Sequence, residues 1–248
     1  MSSWWRNAWT VFKRELAGYF ATPVAYVFLV IYLLLSGLFT WYVGGLYEQD
    51  QADLAPFFDY QPWLFLVLVP ALAMRLWAEE RRSGTIELLL TLPITTGQAV
   101  VGKFLAAWAF CGVALVLTVS EWLTVAWLGG PDHGVIFVSY IGAFLLAGGF
   151  LAIGSCLSAF TKNQVVALVL AVTAGLLFIL AGHPPVLEAA SRVLPAVLLD
   201  AVRQSSFLTH YTGIVRGVLD ARDLVFFASL IGLFLYANTS VLDLKKAD

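Results

Sequence analysis

The stretch MRLWAEERRSGTIELLLTLP, residues 74–93, places a group of charged residues between two apolar segments. Only 12% of the chain is charged, yet six of the thirteen positions from 75 to 87 carry a charge. These residues are Arg75, Glu79, Glu80, Arg81, Arg82 and Glu87. The group is either an ordinary loop between membrane spans or the part of the protein that carries its function.

The composition around this group is that of a membrane protein. Of the 248 residues, 60% are hydrophobic and 12% are charged, whereas a soluble domain is roughly 25% charged. Apolar segments close to the ~20 residues needed to cross a bilayer recur along the chain. We therefore expect an all-α polytopic membrane protein. The net charge of −2, without a basic stripe, gives no indication of nucleic acid binding.

Six transmembrane helices are predicted within a single transmembrane domain, residues 1–248. The predicted spans are residues 24–46, 60–77, 100–127, 135–160, 165–182 and 224–242. Lys and Arg are concentrated before the first span, between the second and third, and after the sixth, whereas the first loop is acidic. Cytoplasmic loops carry an excess of cations. Both termini and the charged group at 74–93 are therefore expected in the cytoplasm.

Two further segments have amphipathic patterns. Residues 1–22 repeat Trp5, Trp9, Phe12, Leu16 and Phe20 at spacings of three and four, which predicts a helix on the cytoplasmic membrane surface. Residues 183–223 are expected outside, although they contain four arginines. Their pattern predicts amphipathic extracytoplasmic helices interrupted at Pro195, with one apolar face from Phe207 to Leu219. A re-entrant hairpin inside the bundle is the alternative.

Residues 79–93 are predicted to form an elbow followed by a short helix. Glu79 to Arg82 extend the second span, with Glu79 and Arg82 able to pair, and Gly84 then interrupts the helix. Thr85 is a candidate N-cap that places Glu87 in the first turn of an apolar helix ending at Pro93. Composition by itself slightly favours a simple positive-inside anchor. That interpretation leaves the interleaved glutamates and the Gly-Thr bend unexplained.

Three stretches resemble the permeases of ABC-2 type exporters. The pattern Glu-Glu-Arg-x-x-Gly-Thr-x-Glu-x-Leu-Leu-x-x-x-Pro at residues 79–93, with Arg81 as its basic residue, is similar to theirs and also follows the second span. KRELAGYFATPVAYV at 13–27 and the stretch 205–246 are similar to the gliding-motility-type branch. In the second of these, His210, Gly217, Asp220 and Asp223 stand at matching positions.

The resemblance implies a transmembrane permease subunit that is not an enzyme and has no catalytic residues, metal or cofactor of its own. Such permeases pair as dimers in the bacterial inner membrane, and each docks a cytoplasmic ATPase that uses ATP and Mg. The coupling region would comprise Glu79, Glu80, Arg81, Arg82, Gly84, Thr85, Glu87, Leu88, Leu89 and Pro93. An auxiliary extracytoplasmic subunit and membrane lipids are further expected partners. The chain contains no complete G-x-x-x-x-G-K-[ST] phosphate loop, so ATP is expected on a partner.

Glu121 is the remaining candidate site residue. It lies within the third predicted span, where a carboxylate faces the bundle or a cavity. A substrate pathway and a hydrogen-bonded structural contact are equally compatible with this position. Two other functions remain as alternatives, an intramembrane enzyme resembling prenyl-protein proteases and an ion-coupled secondary transporter. The first would need an arginine where Gly84 stands, and the second usually shows internal repeats.

Overall fold

The computed structural model describes residues 3–46, 53–85, 93–192 and 194–245. These residues form an all-helical bundle without strands, which confirms the predicted fold class. The helices are α1 (Ser3–Ala21), α2 (Pro23–Leu38, continued by a π-helical turn, Phe39–Val43), α3 (Ala55–Ala73), α4 (Arg75–Ser83), α5 (Thr96–Leu117), α6 (Val119–Leu128), α7 (His133–Phe160), α8 (Gln164–Leu180), α9 (Pro184–Ser191), α10 (Ala196–Gln204), α11 (Phe207–Val215) and α12 (Ala221–Leu244).

In the described part of the chain, five helical segments are long and apolar enough to span a membrane. They are Pro23–Val43, Ala55–Ser83, Thr96–Leu128, His133–Phe160 and Ala221–Leu244. A sixth span is obtained when α8 is combined with α9 across a bend of 76°. The six predicted spans therefore each coincide with a helix, and most helices extend a few residues beyond the predicted ends.

Local sequence signals set where the helices begin. Thr22 is extended and Pro23 occupies the first helical turn of α2, as the dipeptide predicts. A capping box starts α5, where the side chain of Thr95 accepts the N–H of Gln98 and the Gln98 side chain accepts the N–H of Thr95. Side-chain oxygens also cap α7, α8, α11 and α12, from Asp132, Asn163, Ser206 and Asp220 respectively.

Helix α7 is the centre of the bundle and packs against α3, α4, α5, α8, α11 and α12. Its glycines permit this close packing. A Cβ at Gly154 would lie 2.6 Å from the Cβ of Ala73 on α3. At Gly148 it would lie 2.8 Å from the ring nitrogen of Trp108 on α5. Small residues in membrane helices let neighbouring backbones approach in this way.

Helix α1 packs on the protein through small side chains and through the C-terminal end of its aromatic pattern. Ala8 and Val11 are buried against α5, where a Cβ at Gly102 would lie 2.7 Å from the Cβ of Val11. Trp5 and Trp9 remain 53% and 49% exposed. The interfacial helix is therefore docked on the bundle, because small side chains permit close contact, and its tryptophans stay available to the head-group layer.

The three helices that follow α8 differ in their burial. Helices α9 and α10 have no buried residues, and Pro195 separates them as predicted. Helix α11 instead buries Phe207, Tyr211 and Ile214 in the bundle. The single apolar face extending to Leu219 was wrong, because the helix ends at Val215 and residue 217 is a glycine with a φ of 84°.

We expect Gly154→Ala to destabilise the bundle by about 1–3 kcal/mol, since the added methyl overpacks the contact with Ala73. Thermal unfolding in detergent, followed by tryptophan fluorescence, would measure the loss. Gly232→Ala in α12 is the matched control, because a Cβ there meets nothing within 4 Å. Equal melting temperatures for the two variants would contradict the close-packing interpretation.

Candidate functional site: the charged elbow

The charged elbow, residues 75–85, begins where the second span breaks at Met74. The hydroxyl of Ser158, on α7, donates to the carbonyl of Met74 at 3.0 Å. The hydroxyl oxygen of Ser158 also accepts the backbone N–H groups of Trp77 and Ala78 at 3.2 and 3.0 Å. A side chain of α7 therefore inserts into the backbone ladder of the second span, which is a recognised cause of a sharp helix kink.

Further bonds attach α4 to α7, and one of the acceptors on α7 is shared with α12. The indole N–H of Trp77 donates to the Ser155 hydroxyl at 3.3 Å, and the side-chain amide of Asn238 donates to the same oxygen at 2.8 Å. Arg81 donates to the carbonyl of Ala159 at 2.6 Å. This carbonyl belongs to the last turn of α7, where a cation is favoured and carbonyls lack helical partners. The elbow is therefore bonded directly to the central helix.

Lys103 connects the elbow to two more helices. Its side chain, on α5, is only 4% exposed, and its ammonium lies 3.0 Å from Glu15 on α1 and 2.6 Å from Glu80 on α4. The ammonium also lies 5.5 Å from the centre of the Trp77 ring, within range of a cation–π contact. Three helices thus meet at one buried cation.

The charges around Lys103 keep Glu15 ionised. Burial raises the pKa of Glu15, but the ammonium of Lys103 and the guanidinium of Arg14 together outweigh it, and the net pKa is lowered. Arg14 reaches the carboxylate at 2.7 Å. The α1–α5 ion pair is therefore fully formed at neutral pH and is lost only when the pH falls below about 4.3, the ordinary pKa of a glutamate.

The remaining carboxylates of the elbow differ in their surroundings. Glu79 pairs with Arg75 at 3.1 Å, one helical turn before it, and not with Arg82 as the sequence suggested. Arg82 and Pro93 are exposed. Glu80 uses one oxygen for Lys103, and its other oxygen is buried without a hydrogen-bond partner among the described residues. An unsatisfied buried carboxylate oxygen can accept a further donor.

A cleft of about 270 Å³ opens between the elbow, α1 and α5. Its lining combines charged and aromatic groups with the entry to the first span: Glu15, Gly18, Tyr19, Thr22, Arg75, Leu76, Glu79, Glu80 and Lys103. Any change in the position of α4 would alter the walls of this cleft directly.

Gly84 ends α4 in the left-handed conformation, with a φ of 75°. This conformation is readily adopted by glycine and is costly for most other residues. The Thr85 hydroxyl lies 2.9 Å from that of Ser83 and 3.4 Å from the carbonyl of Glu80. The bend expected at Gly84 is present. The helix expected after it, with Glu87, Leu88 and Leu89, lies outside the described residues.

Sequence reasoning did not include Glu15, Lys103 or Ser158 among the site residues. Lys103 could have been found as a lone cation embedded in an apolar helix, a pattern that indicates a buried partner. Lys103 also belongs to an incomplete phosphate-loop pattern that starts at Gly97. Phe104 occupies the position of the required hydroxyl, and all these residues lie within helix α5. The ammonium is therefore used for helix packing.

Glu121 lies apart from the elbow, at the start of α6 and just after the break in the third span at Thr118. Its carboxyl group reaches the hydroxyl of Thr40, in the π-helical turn of the first span. The other carboxyl oxygen is buried without a partner in the described part of the chain. π-Helical turns occur frequently at functional sites. A π-helical turn of the first span and the break in the third span therefore meet at one carboxyl group.

The helical bundle with its charged elbow defines the chain as a multi-pass membrane protein. The sequence profile of the ABC-2 family transporter proteins matches residues 9–241. The chain therefore belongs to this family and is a permease component of an ABC transporter, and the family implies an ABC ATPase subunit as its partner. No curated protein matches the chain.

We expect Lys103→Met to destabilise the fold by about 3 kcal/mol, because removing the cation leaves the largely buried Glu80 carboxylate unpaired and leaves Glu15 with Arg14 alone. Adding Glu80→Gln to this variant should recover part of the loss, since residues 80 and 103 are in direct contact and their contributions are coupled. Thermal unfolding of the purified chain would measure both effects.

Arg75→Gln is the control, because it breaks the more exposed pair with Glu79 and should cost less than about 1 kcal/mol. The central role of Lys103 would be refuted if the two single variants were equally stable.

Proposed function

We propose that the chain is the transmembrane subunit of an ATP-driven exporter, which pairs with a second permease copy and couples to a separate ATPase. The coupling surface consists of the charged elbow and the residues that follow it to Pro93. The observation that carries this proposal is the set of bonds around α4. Because Ser158 and Arg81 join α4 to α7, and Lys103 joins it to α1 and α5, a force on the elbow reaches all three helices.

The energy source follows from this arrangement. ATP and Mg bind to the partner subunit, and the permease contributes the moving helices. Exposed charged groups beside the bend, including Glu79 and Arg82, can form charge-assisted hydrogen bonds to the partner. Such bonds have a strong directional preference, which suits the transmission of a rigid-body movement.

We place the protein in the bacterial cytoplasmic membrane, with both termini and the elbow in the cytoplasm. The distribution of Lys and Arg supports this orientation. The similarity at 13–27 and 205–246 supports the gliding-motility-type branch. Within the second stretch, the His210 ring and the Asp223 carboxylate lie 2.7 Å apart, and Asp220 caps α12. An auxiliary extracytoplasmic subunit would contact this end of the bundle, where α9 and α10 are exposed.

The conformation of Gly84 provides a test of the proposed coupling through the charged elbow. Gly84→Ala introduces no clash, since a Cβ there meets nothing within 4 Å, but it disfavours the left-handed bend by about 1–2 kcal/mol. We expect reduced stimulation of the ATPase in vesicles reconstituted with the permease and its partner ATPase. Copurification of the two subunits reports whether the complex still assembles.

Two matched variants make this test specific. Gly97→Ala adds the same methyl in open space within helix α5 and should leave coupling unchanged. Gly84→Asn should retain most of the coupling, because asparagine tolerates the left-handed region better than alanine. The proposed coupling through the charged elbow would be wrong if the Gly84→Ala variant stimulated the ATPase as well as the wild type.

We further propose that Glu121 lines the pathway of the substrate. Its unpartnered oxygen is available to a hydrogen-bond donor or a cation, and both spans that meet there depart from regular α-helix, the first by a π-helical turn and the third by a break. Nearby, the Tyr32 hydroxyl donates to Gln61 at 3.1 Å, while the amide nitrogen of Gln61 is buried without a partner in the described residues. This polar group of side chains lies within otherwise apolar spans.

Glu121→Gln keeps the size of the side chain and removes its charge. If Glu121 serves the pathway, the variant should lower substrate-dependent ATPase turnover while the melting temperature is unchanged or raised. A merely structural carboxyl group predicts the reverse, with normal turnover and a lower melting temperature. Normal turnover would therefore exclude Glu121 from the pathway.

A further inference from the structure

The end of the bundle opposite the elbow contains a second polar cleft. Two cavities, of about 390 and 100 Å³, share Asp59, Val215 and Arg216 in their walls. Together they form what we term the distal cleft. It lies between the beginnings of α3 and α7 and the end of α11, where these helices leave the apolar interior.

Charges of both signs face the distal cleft. Asp53 and Asp59 contribute two carboxylates, and Arg216 lies within electrostatic range of Asp59. One oxygen of Asp53 accepts the N–H of Ala55 at 3.0 Å, which leaves the other oxygen available. Within the described residues the Arg216 guanidinium makes neither a hydrogen bond nor an ion pair. The cleft therefore offers one anion-binding group and two cation-binding groups to a ligand.

The walls of the cleft are held by hydrogen bonds that do not involve these charges. The Tyr211 hydroxyl donates to the carbonyl of Phe58 at 3.0 Å, which joins α11 to α3. The Ser139 hydroxyl donates to the carbonyl of Val215 at 3.2 Å, which joins α7 to α11. The backbone of the three helices is thus fixed before any ligand arrives, as in most small-molecule sites.

The backbone around Arg216 is also fixed. The N–H of Gly217 donates to the carbonyl of Ile214 at 2.9 Å, and the N–H of Val218 donates to that of Gly213 at 3.2 Å. These are the two bonds of a Schellman motif. Arg216 occupies the C-cap of α11 within it and lines both cavities.

The surroundings place the cleft at the level of lipid head groups. Trp127 and Tyr42 are 87% and 85% exposed at this end of the bundle, and such aromatic residues favour the membrane–water interface. Val197 and Leu198 expose apolar surface on α10. The smaller cavity continues toward Pro62 and Leu208, which provides apolar surface beside the charged chamber. An amphipathic molecule fits this combination.

We propose that the distal cleft binds the head group of a phospholipid carrying a primary amine, of the phosphoethanolamine type. The phosphate would accept a bidentate pair of hydrogen bonds from Arg216, a geometry for which guanidinium is well suited. The ammonium has three donors and would bind Asp59 and Asp53. A quaternary ammonium lacks those donors, and a glycerol head group lacks the cation. The assignment also explains why an arginine, Arg216, lies on the side of the membrane that is expected to be outside, where the distribution of cations does not predict it.

The test uses the full chain in lipid nanodiscs that contain equal amounts of phosphatidylethanolamine, phosphatidylcholine and phosphatidylglycerol. After transfer to detergent, native mass spectrometry counts the lipids that remain bound. We expect the ethanolamine lipid to be retained preferentially. Asp59→Asn and Arg216→Gln should each lower its retention about tenfold, as expected for the loss of one charge-assisted contact.

The controls are the same substitutions outside the cleft. Asp200→Asn on α10 and Arg222→Gln on α12 remove exposed charges at the same end of the bundle without lining either cavity. Both should retain the lipid. Equal retention of the three lipids, or equal losses in the controls, would overturn the proposal.

Soluble phosphoethanolamine distinguishes a lipid from a free head group. If it competes as effectively as the lipid, the site does not recognise lipid and the proposal fails. None of these measurements involves ATP or a partner subunit. Failure here would therefore leave the proposed coupling function unaffected, and failure of coupling would not alter the lipid result.

Discussion

The backbone of the second span is broken at Met74, inside a bundle where water cannot satisfy the exposed groups. In a membrane every freed backbone N–H and carbonyl needs a protein partner. One hydroxyl, that of Ser158, serves the carbonyl of Met74 and the N–H groups of Trp77 and Ala78. The direction of α4 therefore depends on α7, and the charged elbow cannot move independently of the central helix.

The buried cation of Lys103 extends this dependence to the periphery. Helix α1 has an exposed aromatic face, and its attachment to the bundle relies on small residues and on Glu15. Because Lys103 binds Glu15 and Glu80 together, the interfacial helix and the elbow share one charge. Charges shielded from water attract each other more strongly, but burial also removes their hydration, and a buried pair that loses one partner is costly. The cluster therefore stabilises the packing of three helices, and the loss of one of its charges would destabilise that packing.

Polar groups in this protein are concentrated at breaks and helix ends, and each has a different environment. The charges of the elbow cluster are largely paired. Glu121 retains one unpartnered oxygen beside the π-helical turn of the first span and the break in the third span. The distal cleft has charges of both signs with rigid walls around them. Paired charges hold helices in place, whereas incompletely paired charges are available to a ligand. The second span and α7 thus connect the supporting cluster at one end of the bundle with the binding site that we propose at the other.

The sequence by itself determined the class of fold, the positions of the spans and the bend at Gly84, because hydrophobic runs, caps and glycine act locally along the chain. The break at Met74, the pairing of Glu80 with Lys103 and the burial of α11 were decided by the tertiary structure alone. Partners such as Ser158 lie about 80 residues away in the chain, and no local pattern specifies which distant residue meets a charge. The interfacial helix α1 was predicted from its pattern of tryptophans and cations, but its close contact with Gly102 on α5 depends on tertiary packing.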